Sequence, residues 1–123
     1  MKIKRILIAN RGEIAVRIMK TARLMNIETV AIKTAVEPNA MYLSGADVIF
    51  DNTEDVSEIP VFLDIEKLIA IALKTNANAV HPGYGFLAEN AYFAQKCIDN
   101  KIFYIASCCI DWFAGLSQLV AEE

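Results

Sequence analysis

The stretch His81-Pro82-Gly83-Tyr84-Gly85-Phe86-Leu87-Ala88-Glu89-Asn90 connects an apolar run to a segment with helical spacing. Pro82 has no backbone donor, so a strand that includes the apolar run should end there. Gly83 and Gly85 allow positive φ angles on either side of Tyr84. A loop of this kind after a parallel strand is where open α/β sheets bind ligands. The same residue types also suit a tight turn with Tyr84 packed in the core, so both interpretations stay open.

Outward from this loop, the chain alternates between short apolar runs and segments with one apolar helical face. That alternation is typical of a parallel sheet flanked by helices. We therefore predict an α/β, Rossmann-like fold with a mostly parallel five-stranded sheet and helices on both faces. The predicted strands are residues 5–9, 28–33, 47–50, 78–81 and 102–105. Two predicted helices begin after Asn10 and Asp64, which cap them. Two more are predicted over residues 88–99 and 110–120, and a short one over residues 40–44.

Composition and charge restrict the class of protein. The 123 residues suit one domain over 1–123, and 55% of them are hydrophobic, enough for a full core. A net charge of −3 without a basic cluster argues against nucleic acid, and no apolar run approaches the ~20 residues of a membrane span. Three cysteines, Cys97, Cys108 and Cys109, without a secretory signal indicate reduced thiols and a cytoplasmic location. One histidine and adjacent cysteines argue against a zinc site.

The first turn, residues 9–14, lacks the usual nucleotide cradles. It contains one glycine, Gly12, where a dinucleotide-binding turn has the pattern Gly-x-Gly-x-x-Gly. A glycine-rich loop that ends in Lys-Ser or Lys-Thr is missing as well. The residues by themselves therefore predict an α/β domain with a loop suited to a ligand, and they leave the ligand undefined.

Two long motifs resemble those of biotin carboxylases. They are Ile6-Leu7-Ile8-Ala9-Asn10-Arg11-Gly12-Glu13-Ile14-Ala15-Val16-Arg17-Ile18 and His81-Pro82-Gly83-Tyr84-Gly85-Phe86-Leu87 with Glu89-Asn90, and the similarity extends over residues 4–105. The resemblance implies the Rossmann-like, pre-ATP-grasp domain that begins these ligases, with the ATP-grasp and C-terminal domains absent from this chain. The family uses ATP, magnesium and bicarbonate to carboxylate protein-attached biotin. Because the ATP-grasp domain makes most of the ATP, magnesium and bicarbonate contacts, the resemblance implies that this chain alone binds no cofactor.

The resemblance also implies where the site residues lie. The loop would face the shared active-site cleft, with Gly83, Tyr84, Gly85, Glu89 and Asn90 as cleft residues and Tyr84 near the biotin. No residue of this chain is expected to be catalytic. For Glu89 the competing interpretation is a carboxylate that favours the start of a helix through the helix dipole.

Three residues of the first helix are candidates for an interface. Arg17, Lys20 and Leu24 share one helical face. The family uses this helix in its dimer contact, so the resemblance implies a homo-oligomer with these residues at the interface, and a solvated basic face is the alternative. Nearby, Arg11 should pair with a carboxylate of a neighbouring loop, and His81 should be a structural hydrogen-bonding residue.

Among the departures from the family pattern, one bears directly on ATP binding. By count, Gln118 stands where the family has a lysine that contacts ATP phosphates, and glutamine carries no positive charge. We therefore expect this chain to be inactive on its own. Three hypotheses remain. In the first, the chain is a biotin carboxylase N-terminal domain that works with an ATP-grasp domain and a biotin carrier protein. In the second, it is a truncated non-catalytic paralogue that acts as an interaction or assembly module. In the third, it is a free-standing binder of a small ligand or nucleotide.

Overall fold

The computed structural model describes residues 2–105, with five strands in one sheet. They are β1 (Arg5–Ile8), β2 (Glu28–Lys33), β3 (Val48–Asp51), β4 (Ala79–His81) and β5 (Phe103–Tyr104). All neighbouring pairs are parallel, in the order β3-β2-β1-β4-β5. The predicted parallel sheet is confirmed, and every strand boundary falls within one residue of its predicted position. The helix predicted over 110–120 lies outside the described residues, as do Cys108, Cys109 and Gln118.

Capping side chains mark the start of two of the three described α-helices. The described helices are α1 (Gly12–Leu24), α2 (Ile65–Lys74) and α3 (Ala91–Asp99), with short 3₁₀ helices at Met41–Gly45 and Val61–Leu63. The start of α2 is confirmed, because the Asp64 side chain accepts a hydrogen bond from the Lys67 backbone nitrogen at 3.2 Å. The predicted start of α3 at residue 88 is wrong, because Asn90 caps this helix by accepting from the Phe93 backbone nitrogen at 2.9 Å.

The two faces of the sheet pack against different helices. On one face α2 and α3 cover Leu7, Val30 and Val80, which are fully buried. On the other face α1 packs over Ile8 and Ala31. Neighbouring residues of one strand belong to opposite cores because successive side chains of a strand point to opposite faces. The prediction of helices on both faces is confirmed.

The chain changes direction across the sheet between β1 and β4. From β1 it moves outward through β2 and β3, whereas β4 and β5 lie on the other side of β1. In open parallel sheets this switch point, at the carboxyl ends of the strands, is where ligands bind. Asn10 follows β1 at this edge, and residues 82–90, called here the glycine loop, follow β4.

Within residues 2–105 some kinds of site are missing. No helix in this range is long and apolar enough to span a membrane. Its His, Cys, Asp and Glu side chains form no group of three that could hold a metal ion. Cys97 is a fully buried free thiol, and burial raises the pKa of this thiol to about 12. Cys97 is therefore a small core residue without a reactive thiolate at neutral pH.

Candidate functional site

Asn10 joins the end of β1 to the glycine loop. The residue is 4% exposed, and its Nδ2 donates hydrogen bonds to the backbone oxygens of Pro82 at 2.8 Å and Tyr84 at 2.7 Å. Its Oδ1 accepts from the Arg11 backbone nitrogen at 2.8 Å. The prediction that Asn10 caps α1 is wrong, because Arg11 occupies the cap position and makes no side-chain cap bond. The asparagine instead fixes the first half of the glycine loop.

Gly83 lies where only a residue without a side chain fits. Its φ is +69°, in the left-handed region that favours glycine. A Cβ at this position would lie 2.9 Å from Asn10 Nδ2 and 3.0 Å from Ile14 Cγ1. Gly85 has a φ of +70°, but no atom lies within 4 Å of the Cβ that it lacks. Backbone angle and space both require glycine at position 83, whereas only the angle favours it at position 85.

The second half of the glycine loop is held by β5. The Tyr104 hydroxyl donates to the backbone oxygens of Leu87 and Ala88, which lie 2.9 Å and 3.1 Å from its Oη. The Phe86 ring stacks on the Phe62 ring with 5.4 Å between the ring centroids. The loop is therefore fixed from both sides of the switch point, and its shape follows from the sheet.

Three of the five predicted cleft residues face solvent. Tyr84 is 64% exposed, and Gly85 and Glu89 are exposed as well. Gly83 is buried, and Asn90 caps α3 through its side-chain oxygen. The exposure of Tyr84 excludes the interpretation of its ring as a core residue. An exposed ring on a fixed loop can present an aromatic face and a hydroxyl to a ligand that is apolar with a polar edge.

His81 supports the loop from the strand side. Its Nδ1 accepts a hydrogen bond from the Gly83 backbone nitrogen at 3.0 Å. Its backbone oxygen accepts from the Ala9 nitrogen at 2.9 Å, which extends the pairing of β1 with β4. Burial lowers the pKa of His81 below its ordinary value of about 6.5. The ring is therefore neutral at pH 7, as an accepting nitrogen requires, and the predicted structural role of His81 is confirmed.

A cavity of about 580 Å³ lies beside the glycine loop, at the ends of β2 and β3. Arg11 and Glu37 form an ion pair on its wall, which confirms the predicted pairing of Arg11 with a carboxylate of a neighbouring loop. Phe62 and Phe86 contribute their rings to the lining, whereas Tyr84 does not line the cavity. The cavity and the exposed Tyr84 ring are therefore separate features of the same sheet edge.

The three predicted interface residues of α1 are exposed, and they line two different grooves. Lys20 and Leu24 line a groove together with Met41. The side chains of Leu24 and Met41 are 86% and 89% exposed. Arg17 lines a different groove, on the other flank of α1. Large apolar side chains that are adjacent and almost fully exposed are typical of a surface that contacts a partner.

Comparison with known proteins assigns the family. The family described as "Biotin carboxylase, N-terminal domain" matches residues 2–108 of the chain. The chain belongs to the biotin carboxylase N-terminal domain family. The match includes all five strands, Asn10 and the whole glycine loop, and it confirms the resemblance predicted from the two motifs.

Relatives in this family are much longer than the present chain. A biotin carboxylase of Nostoc sp. is 48% identical over 105 residues, which are 85% of this chain and 23% of that protein. A pyruvate carboxylase of Staphylococcus aureus is 40% identical over 104 residues, which are 85% of this chain and 9% of that protein. The solved biotin carboxylase domain dimer of the Hydrogenobacter thermophilus 2-oxoglutarate carboxylase, in complex with MgADP, ADP and bicarbonate, matches with a TM-score of 0.77. Its identity is 38%, and the match covers 85% of this chain and 22% of that chain.

Two residues of the site were not predicted from the sequence as parts of it. Asn10 follows a buried strand at what proves to be the switch point, and a polar residue in that position is a signal for a role at the sheet edge. Tyr104 lies in an otherwise apolar strand, and a buried tyrosine hydroxyl needs a hydrogen-bond partner. Their partners, however, could be named only once the order of the strands was known.

Proposed function

We propose that this chain forms one wall of the active-site cleft of a biotin carboxylase, which uses ATP, magnesium and bicarbonate to carboxylate protein-attached biotin. The observation that carries the proposal is the exposed Tyr84 ring on a loop held from two strands. In this proposal Tyr84 contacts the biotin end of the cleft, and Gly83, Gly85, Glu89 and Asn90 shape the wall around it. The chain supplies shape and position, and the reacting groups belong to other domains.

The chemistry of the Tyr84 side chain suits this role. Its aromatic face can pack on the apolar part of biotin while its hydroxyl reaches a polar edge. The loop is already held by the hydrogen bonds of Asn10 and Tyr104, so little ordering is needed when a ligand binds. A fixed wall also keeps water away from the reacting nitrogen.

The proposal includes partners that complete the reaction. An ATP-grasp domain binds the nucleotide, magnesium and bicarbonate, and a biotin carrier protein delivers the biotin. A second copy of the chain contacts α1 through Arg17, Lys20 and Leu24, which is supported by the exposure of Leu24 and by the dimer described for the Hydrogenobacter thermophilus domain. The reduced, buried Cys97 supports a cytoplasmic location.

A chimera tests the proposed role of the loop. Residues 1–105 of this chain replace the matching segment of the Nostoc sp. biotin carboxylase, and biotin-dependent hydrolysis of ATP is measured with bicarbonate present. In the chimera we expect Tyr84→Ala to raise the KM for biotin while the KM for ATP changes little. Tyr92→Ala is the matched control, because Tyr92 is 58% exposed on α3 and belongs to no predicted cleft.

Two outcomes would contradict this proposal. A folded chimera without biotin-dependent ATP hydrolysis would show that the chain does not complete the cleft. An equal KM for biotin in the Tyr84→Ala and Tyr92→Ala chimeras would show that the ring does not contact biotin.

A second candidate function is a non-catalytic assembly module. The observation that favours it is the adjacent exposure of Leu24 and Met41, which gives α1 an apolar contact surface independent of any cleft. Sedimentation of the full chain at micromolar concentration should then show a species heavier than 13.6 kDa that Leu24→Lys dissociates. A monomer at all these concentrations would contradict both the module and the second copy proposed above.

A further inference from the structure

The α1 face of β4 and β5 has an apolar groove that no helix of residues 2–105 fills. α2 and α3 lie on the opposite face of these strands, and α1 covers only the side next to β1. Ala79 of β4 and Phe103 of β5 point to this face. The groove has a volume of about 430 Å³. Its lining includes six isoleucines: Ile3, Ile6, Ile14, Ile18, Ile27 and Ile105.

The chain reaches this groove at the last residue that the structure describes. Ile105 lines the groove, and its backbone nitrogen donates to the Val80 oxygen at 2.9 Å, so β5 fixes the place from which the chain continues. From that end the groove follows α1 from Ile14 to Met25. At about 1.5 Å per residue, this length of helix is about 16 Å.

Residues 106–123 have the sequence pattern that fits such a groove. Trp112, Leu116, Leu119 and Val120 recur at the i, i+4, i+7 and i+8 spacing of one helical face. A helix over 110–120 would be about 16 Å long, which matches the length of the groove along α1. The apolar face of that helix and the isoleucines of the groove would each bury surface that otherwise meets water.

Charges at the far end of the groove match the end of this segment. Ile3 lines that end, and its neighbours Lys2 and Lys4 are exposed. Glu122 and Glu123 follow the apolar positions of the segment. A helix that starts near Ile105 and runs beside α1 would bring the two carboxylates close to the two lysines. The attraction between these opposite charges favours a helix that starts near Ile105 and ends near Ile3 over a helix of the reverse direction.

We propose that residues 110–120 dock as a helix into this groove of the same chain. The link 106–109 spans at most about 13 Å, so it holds the segment at the mouth of the groove. Such a short tether gives an effective local concentration in the millimolar range, about a thousandfold above a micromolar second copy. This interaction does not depend on the proposed contact between the glycine loop and biotin.

The single tryptophan of the chain, Trp112, reports docking directly. In the full chain we expect a blue-shifted emission maximum and weak quenching by acrylamide, both independent of protein concentration from below to above the micromolar range. Met25→Lys places a charge at the groove wall. In this variant the emission maximum and the acrylamide quenching of Trp112 should both shift most of the way to the values of the urea-unfolded chain. Far-UV circular dichroism confirms that the variant stays folded.

Leu24→Lys is the matched control. Leu24 and Met25 are neighbours, both are more than half exposed, and only Met25 lines this groove. Leu24→Lys should therefore leave the emission of Trp112 unchanged. The proposal is overturned by a wild-type emission like that of the unfolded chain, by emission that changes with protein concentration, which would indicate a second copy in the groove, or by equal responses of the two variants.

Discussion

The side-chain nitrogen of Asn10 lies 2.7 Å from the backbone oxygen of Tyr84, 74 positions further along the chain. A second hydrogen bond from the same nitrogen reaches the Pro82 oxygen at 2.8 Å. Asn10, the second residue after β1, therefore anchors the backbone that carries the exposed ring after β4. Because both acceptors are backbone atoms, this anchor persists whatever side chain stands at position 84.

Removal of the Asn10 amide should destabilise the chain. We expect Asn10→Ala to lower the free energy of unfolding by about 1–3 kcal/mol, because the buried Pro82 oxygen loses its donor. Asn10→Asp should cost more than Asn10→Ala, since a carboxylate would face two carbonyl oxygens in a buried site. Urea denaturation measures both changes. Asn39→Ala, at an exposed position, is the control, and it should change the free energy of unfolding by less than about 0.5 kcal/mol. Equal urea midpoints for Asn10→Ala and Asn39→Ala would show that Asn10 does not anchor the glycine loop.

The two glycines of the loop should differ in their tolerance of a methyl group. Gly85→Ala should cost about 1–2 kcal/mol, the cost of a left-handed backbone for an L-residue. Gly83→Ala has the same backbone cost, and in addition its Cβ would lie 2.9 Å from Asn10 Nδ2. We therefore expect the larger loss of stability at Gly83, measured by thermal or urea unfolding. Equal losses at both positions would show that the close approach of Asn10 does not constrain the loop.

Tyr84 should contribute little to stability even though it lies at the centre of the candidate site. With the ring 64% exposed, Tyr84→Ala should change the free energy of unfolding by less than about 0.5 kcal/mol. Tyr104 is 2% exposed and donates to the loop, so Tyr104→Ala should cost about 3–5 kcal/mol. A large loss of stability from Tyr84→Ala would mean that the ring is packed, and the proposed contact with biotin would lose its support.

His81 should make the chain less stable in mild acid. Because burial lowers its pKa in the folded chain, the unfolded chain takes up the proton first as the pH falls through about 6.5. The free energy of unfolding should therefore decrease from about pH 7.5 to about pH 5.5, and the loss should end below the folded pKa.

His81→Asn provides the control for this pH dependence. The asparagine oxygen can accept the hydrogen bond of the Gly83 nitrogen and does not titrate. Because the chain has one histidine, the variant should show a nearly flat stability between those pH values. The lowered pKa values of Asp51 and Asp55 affect stability only at more acidic pH. An unchanged slope in His81→Asn would exclude His81 as its source.

The chain alone should not bind Mg-ATP with useful affinity. Its first turn has one glycine instead of a phosphate cradle, and Gln118, by count in the sequence, is expected where the family resemblance implies a phosphate-contacting lysine. Isothermal titration calorimetry of the purified chain measures this directly. A Kd in the micromolar range, equivalent to about 8 kcal/mol, would contradict the assignment of nucleotide binding to another domain.

The sheet could be predicted from the sequence because local patterns determine it, whereas the role of Asn10 depends on strand order. An asparagine between a strand and a helix has the same local signature as a helix cap, and nothing near it in the sequence indicates its partners at Pro82 and Tyr84. The exposure of Tyr84 could not be predicted either, because flanking glycines suit a buried ring equally well. The late start of α3 has a similar cause, since the helix-forming residues before Asn90 bond instead to Tyr104.

The anchors of the glycine loop constrain the order in which the chain folds. Asn10 follows β1 and Tyr104 belongs to β5, so the loop between them in sequence can take its final shape only after both strands have joined β4. Contacts between residues so far apart in the chain close large loops, and they form slowly for that reason. During refolding, the amides of the glycine loop should therefore become protected from hydrogen exchange after those of β1 and β4.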